Sequence, residues 1–318
     1  MRLEKNNAAE GIAPQQHAIQ GCLSLKTWLA LEKENTNVHR IFSSSSVWIE
    51  RYGDDVLLSR FTRVAWEGLM DELKRWGEEI SFAPRRVFLR DLVKNPDTKH
   101  TPILLQGPND LPLTTAIQER GISYHADFGG YSVGFFLDQR MNRQHVRDLK
   151  PKKFLNCFAY TCSFSVAAAL EGAETTSADI SRQALRRGQS NFELNHLSPQ
   201  NHHFIVEDVR KLLPRLAKRN ERFDAIILDP PTFARSEKGR PLQIERDLPE
   251  LIRMTLACAA PEAHILLSSN CQTLPTSQLI HIARNVLKET NRRASFHTES
   301  TPPDVPEWAM PANVWACL

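Results

Sequence analysis

The sequence predicts an α/β protein: a doubly wound parallel sheet preceded by a small α+β domain. Two contrasting textures carry that reading. From Phe154 onward, short apolar runs alternate with helical stretches, the pattern of a parallel sheet covered on both faces. Before that point, "VWIERYGDDVLLSRF" sets two apolar runs around Tyr52-Gly53-Asp54-Asp55, a hairpin signal. With 318 residues and 41% hydrophobic content, the chain is long enough for two unequal domains.

Residues 1–40 are polar apart from one short helix over Leu23 to Leu31 and are assigned no independent fold. The small domain is expected over 41–140. After its hairpin, Trp66, Leu69, Met70, Leu73 and Trp76 recur at helical spacing. "RRVFLRDL" then reads as a strand, and the stretch from His100 to Phe128 alternates short strands with Gly and Pro turns. "VRDLKPKK" is the hinge. The second domain, 141–318, should contain buried strands at Phe154 to Phe158, Thr175 to Asp179, His203 to Val206, Ala225 to Leu228 and His264 to Ser268.

Bulk properties exclude more than they identify. Forty Lys+Arg against 37 Asp+Glu leave a net charge of +3, so any case for nucleic acid must rest on local clusters. Six scattered cysteines without a CxxC pair point to neither a disulfide framework nor a metal site. The polar first residues lack the apolar core of a signal peptide, and no apolar run approaches a membrane span. A cytoplasmic protein with no membrane and no metal is expected.

In a doubly wound sheet the ligand lies across the carboxyl ends of the strands. Three successive strands here close on Asp179, Asp208 and Asp229-Pro230-Pro231. Asp179 follows the first strand by about 20 residues, where a carboxylate accepts ribose hydroxyls; Asp208 could accept from an adenine amino group. Both could equally cap helices. The loop after the first strand, "FAYTCS", has no glycine, whereas a pyrophosphate site needs one for close backbone approach. Ribose and adenine without phosphates indicate S-adenosylmethionine, its amino-acid end held by the Tyr160 to Ser163 loop; a nicotinamide oxidoreductase is disfavoured.

The stretches "VWIERYGDDVLL", "GFFLDQRMNR", "FLNCFAYTCSFSVAAA", "SADIS", "NFELNHL", "EDV", "FDAIILDPPTF", "ILLSSNCQTL" and "PPDVP" resemble, in order, the class I S-adenosylmethionine-dependent methyltransferases, and within them the bacterial 23S ribosomal RNA cytosine-5 methyltransferases. That resemblance implies a Rossmann-like methyltransferase sheet and ribosomal RNA as partner, with room for a homodimer. It implies a cofactor loop with Asn156, Phe158, Tyr160, Thr161 and Ser163, flanked by Asp179 with Ile180, Asp208 with Val209, and Asp229. Gln139 and Arg140 of "FLDQR" resemble an additional cofactor-side motif, though Arg140 also suits a domain-interface ion pair. Cys162 stands where relatives usually have glycine. Long members begin with an RNA-binding domain that this chain is expected to lack.

A sulfonium methyl is already activated, so the enzyme's task is alignment and a nucleophilic acceptor. Cytosine carbon 5 becomes nucleophilic once a thiolate adds to carbon 6. Cys271, in "SSNCQTL", resembles the family's nucleophile, with Asn270 replacing the commoner Ser. Asp229, Pro230 and Phe233 of "DPPTF" form the other wall: carboxylate and carbonyls as acceptors, the aromatic ring as a stacking surface. Arg235, Lys238 and Arg240 follow as a phosphate-binding cluster. A guanine methyltransferase acting at N7 or N2 is the alternative, since a DPP-aromatic turn serves it without a cysteine. A catalytically degenerate RNA-binding relative is another.

Overall fold

The computed structural model describes residues 23–63, 66–93, 100–234 and 241–318. The small domain begins with α1 (Leu25–Lys33), capped by the Ser24 hydroxyl on the Thr27 amide. Its sheet runs β1 (Val38–Ser43), β2 (Val47–Tyr52), β3 (Asp55–Arg60), β4 (Arg86–Asp91) and β5 (Ile103–Gln106) in sequence order. All neighbours are antiparallel except β3 and β4, which α2 (Trp66–Ile80) connects as a parallel crossover. Trp28 and Leu31 of α1 pack with Leu73 and Trp76 of α2 on Ile49, Val56 and Leu58. The expected boundary at residue 41 therefore falls inside β1, and α1 belongs to this domain. Of its nine residues only Trp28 and Leu31 are buried.

A hairpin of β6 (Thr114–Glu119) and β7 (Ile122–Asp127) joins the two parts. Ile117, Tyr124 and Ala126 share a core with Val166, Leu185 and Phe192 of the second domain. That domain continues with α3 (Arg140–Leu149), β8 (Lys153–Cys157), α4 (Ser163–Leu170), β9 (Glu174–Asp179), α5 (Arg182–Leu194), β10 (His202–Val206), α6 (Val209–Lys218) and β11 (Phe223–Leu228). A short ladder, β12 (Phe233–Ala234) with β13 (Leu242–Gln243), precedes α7 (Ile244–Leu256), β14 (Ala259–Ser269), α8 (Thr276–Glu289), β15 (Ser295–His297) and β16 (Ala312–Cys317).

The sheet order is β10-β9-β8-β11-β14-β16-β15. Its first five strands are parallel and coincide with the five expected from sequence. The last strand, β16, inserts antiparallel between β14 and β15. Neither β15 nor β16 was expected. Strand order reverses at β8, so a crevice opens between its carboxyl end and that of β11, where open α/β sheets bind ligands.

Four charged side chains clamp this sheet to the small domain. Arg140 donates to Glu119 on β6 at 3.0 Å, to the Val38 carbonyl at 2.7 Å and to Asp304 near the C-terminus. Arg143 adds a two-pronged contact to Glu119 at 2.7 and 2.9 Å, and the Arg40 amide closes on Asp304 at 2.9 Å. Burial alone would raise the Glu119 pKa, yet Arg143 and Arg140 pull it below the ordinary carboxylate value. Deleting one partner strands the other charges in the interior. Arg140→Met should cost about 3–5 kcal/mol, seen as a lower urea midpoint with an unchanged slope.

Candidate active site

The loop after β8 takes an unusual backbone path. Phe158, Tyr160 and Cys162 all have left-handed φ, +61°, +48° and +60°, while Ala159 and Thr161 between them do not. Such alternation turns successive amides toward one side and makes a concave anion-binding surface. The Ala159, Tyr160 and Cys162 amides are spent internally, on the Ala178 carbonyl, Asp179 Oδ2 and the Ala159 carbonyl, at 2.8–2.9 Å. Among the described residues the Thr161 amide has no acceptor, and the first amides of α4, from Ser163, are free as at any helix start.

Left-handed conformations at non-glycine residues cost of order 1–3 kcal/mol each, so the loop must be held from outside. Thr161 Oγ1 donates to the Gly134 carbonyl at 2.6 Å, Asn191 Nδ2 to the Thr161 carbonyl at 2.9 Å, and Arg187 to the Val133 carbonyl at 2.8 Å. Asn156 lies beneath: its Nδ2 donates to Ser165 Oγ at 2.9 Å, so it supports the loop rather than facing the crevice. Cys162 is fully buried, and its left-handed φ explains why glycine suits this position. Opposite it stands Gly188 of α5, where an added Cβ would meet Cys162 Sγ at 2.4 Å. A side chain at 162 is accommodated by its absence at 188.

Asp179 ends β9 under the loop. It accepts the Tyr160 and Ser181 amides, at 2.9 and 2.8 Å, and among the described residues no cation pairs with it; burial raises its pKa despite those bonds. Its remaining lone pairs and the exposed Ile180 beside it, 54% accessible, suit a ribose and an apolar ring. Asp208 differs. It is the N-cap of α6, accepting the Arg210 amide at 2.9 Å and clasped by the Arg210 guanidinium at 2.6 Å. The helix-cap alternative holds for Asp208, and any adenine contact competes with that ion pair; Val209 is buried in the core below. Arg140 is likewise corrected: its guanidinium is engaged in the interdomain clamp and does not reach the cofactor side.

Gln139 instead belongs to a chain of hydrogen bonds whose direction is set at one end. The indole of Trp315 can only donate, and it gives its proton to Asn142 Oδ1 at 2.9 Å. Asn142 Nδ2 must then donate to Gln139 Oε1, 2.7 Å, which points Gln139 Nε2 at Ser268 Oγ and Asn313 Oδ1, 3.2 and 3.3 Å. The Ser268 hydroxyl, already an acceptor, donates to Asp229. Burial raises the Asp229 pKa and this bond opposes it. Asp138, missed from sequence, stands close by: half-buried with its Oδ1 sealed and unpaired. Burial pushes its pKa up to about 6, helped by Asp229 and opposed by Arg40.

Leu228 pairs with Leu267 across β11 and β14, so Asp229 and Ser268 come next in register, with Pro230 buried and Cys271 just beyond. Cys271 is half-buried, its Sγ 3.0 Å from Thr273 Oγ1, which donates to Glu245 at the start of α7. A carboxylate only accepts, so Thr273 must donate to Glu245 and its lone pairs face the thiol. The Cys271 S–H is therefore the donor of a Cys–Thr–Glu relay. Burial pushes the Cys258 thiol up to about 11, Cys162 to about 12 and Cys157 further still, which keeps them as thiols at neutral pH. Glu245 and Thr273 carry no sequence signal, because the relay is closed only by the packing of α7 against the end of β14. Phe233 enters the β12–β13 ladder opposite Gln243; Arg235, Lys238 and Arg240 lie outside the described residues.

A crossover sheet with an inserted antiparallel strand, an amide-lined loop and an acidic strand end beneath it defines a nucleoside-binding α/β domain. Residues 94–312 match the model of the S-adenosylmethionine-dependent methyltransferases, and the chain belongs to that family. It is 41% identical over 192 residues to the Bacillus subtilis protein YwbD, named for ribosomal RNA large subunit methylation, covering 59% of this chain and 48% of that one. Ribosomal RNA large subunit methyltransferase I of Escherichia coli (strain HS) is 31% identical over 278 residues, 82% of this chain and 67% of the relative. The fold is shared with SMU.776, crystallised with SAH: TM-score 0.76 at 24% identity, over 92% of this chain and 80% of that one. The chain spans about half or less of several curated relatives. Among the described residues no helix is long and apolar enough to cross a membrane.

Two outcomes follow from this geometry. In an open helix Gly188→Ala would stabilise by about 1 kcal/mol; against Cys162 it should destabilise, and the sign should reverse in the Cys162→Gly background. A double-mutant cycle by urea unfolding reads the coupling, expected at roughly 1–3 kcal/mol. Asp138 has a folded-state pKa above its unfolded one, so its cost is absent in acid and grows as pH rises toward and past about 6. Asp138→Asn should therefore raise the melting temperature at about pH 7.5 and leave it unchanged near about pH 3.5.

Proposed function

We propose that this chain methylates ribosomal RNA at carbon 5 of cytosine, using Cys271 as nucleophile. The observation that carries the reading is the relay from Cys271 Sγ through Thr273 to Glu245 at the end of β14, one strand from Asp229. The names of the relatives from Bacillus subtilis and Escherichia coli supply ribosomal RNA.

S-adenosylmethionine, when bound, supplies an electrophilic methyl group. The residues present fit it: Asp179 would accept the ribose hydroxyls, Ile180 would flank the adenine, and the amides of Thr161 and Ser163 would hold the methionine carboxylate. On the acceptor side, Glu245 draws the thiol proton of Cys271 through Thr273, and the thiolate adds to cytosine carbon 6. Carbon 5 would then take the methyl group as the sulfonium carbon–sulfur bond breaks, with S-adenosylhomocysteine as the leaving group. Release of the carbon 5 proton to solvent would restore the double bond and expel the Cys271 thiolate, which recovers its proton from Glu245 through Thr273. Asp229, held in place by Ser268, accepts from the cytosine amino group, and the stretch with Arg235, Lys238 and Arg240 takes the RNA phosphates.

RNA carrying 5-fluorocytosine tests this, because fluorine cannot leave as a proton and the covalent adduct persists. Wild-type protein should be trapped on 23S ribosomal RNA transcripts, whereas Cys271→Ala should form neither adduct nor product. Thr273→Val should slow adduct formation by about 100-fold, the scale of a lost proton acceptor. Normal turnover of Cys271→Ala with the methyl group on guanine would overturn the cytosine reading.

A further inference from the structure

His145 on α3, His297 at the end of β15 and Glu299 two residues later converge beside β16. His145 Nδ1 lies 3.0 Å and His297 Nε2 3.5 Å from the same oxygen, Glu299 Oε1. The three ligand atoms all lie within 4.8 Å of one another. Two nitrogens or oxygens bound to one tetrahedral zinc at about 2.0–2.1 Å stand roughly 3.3–3.4 Å apart. The two separations from Glu299 Oε1, 3.0 and 3.5 Å, bracket that value.

The surroundings resemble the outer layer of a metal site. The other nitrogen of His297, Nδ1, faces Cys317 Sγ at 3.6 Å, and that sulfur lies 3.3 Å from His264 Nδ1. A ligating imidazole commonly has its second nitrogen hydrogen-bonded; His297 Nδ1 has the thiol beside it, whereas His145 Nε2 is buried without a partner among the described residues. His145 is braced on Trp315, ring centroids 4.5 Å apart. On its other side Glu299 borders a cavity of about 180 Å³ shared with Asp138 and Asn142.

We propose that His145, His297 and Glu299 bind a divalent transition metal ion, for which two imidazoles and a carboxylate match zinc. The site ties α3 to β15 and lies apart from the Cys271 relay, so its role is to brace the antiparallel edge of the sheet.

Isothermal titration of zinc chloride into chelator-treated protein should show saturable binding of one equivalent with micromolar or tighter affinity. Zinc should also raise the melting temperature, because it binds the folded form. His297→Ala and Glu299→Gln, both at partly exposed positions, should fold and weaken binding by at least roughly 100-fold. His203→Ala, which disrupts the other exposed His–Glu pair, with Glu174, should leave it unchanged. Absence of saturable binding, or equal binding by wild type, His297→Ala and Glu299→Gln, would overturn the proposal.

Discussion

The buried cluster of Arg140, Arg143, Glu119 and Asp304 is the interaction on which the rest of the molecule depends. It draws on β6, on the first turns of α3 and on a segment near the C-terminus, with the Val38 carbonyl of β1 as a further acceptor. An isolated guanidinium in such a place would be prohibitively costly. Because its charges balance only when all these segments meet, the cluster sets the docking of the small domain. It also fixes where α3 begins, and hence where Gln139 and Asn142 point.

From there, order passes to the reacting edge through donors and acceptors of fixed polarity. Trp315 sits on the last strand and can only donate, so each amide after it has one allowed orientation, ending with the Ser268 hydroxyl on Asp229. The inserted strand β16 thus does more than cover an edge. It carries the residue that determines how a carboxylate two strands away is presented.

Strands β8, β11 and β14 were legible from sequence because buried parallel strands carry apolar runs, and the ends of β9, β10 and β11 are marked by Asp179, Asp208 and Asp229. The glycine-free loop was legible through what it could not bind. By contrast β15 has only three residues, and no α-helix separates it from β16 to supply the alternating rhythm. Asp208 and Arg140 were placed correctly along the chain, but their partners, Arg210 and Asp304, decide what their charges do. The Cys271 relay and the His145–His297–Glu299 cluster are each assembled from separate elements. No local spacing encodes them.

The reciprocal fit of Cys162 and Gly188 restricts the routes by which this loop can have changed. If an ancestor carried glycine at 162, a larger side chain at 188 would have been harmless or beneficial there, since glycine weakens a helix. Once a thiol occupies 162, the same side chain collides with it. Replacement at 188 by glycine therefore had to come first, or together with the thiol, and reversal must run in the opposite order. A mildly unfavourable step opened a path that the favourable one would have closed.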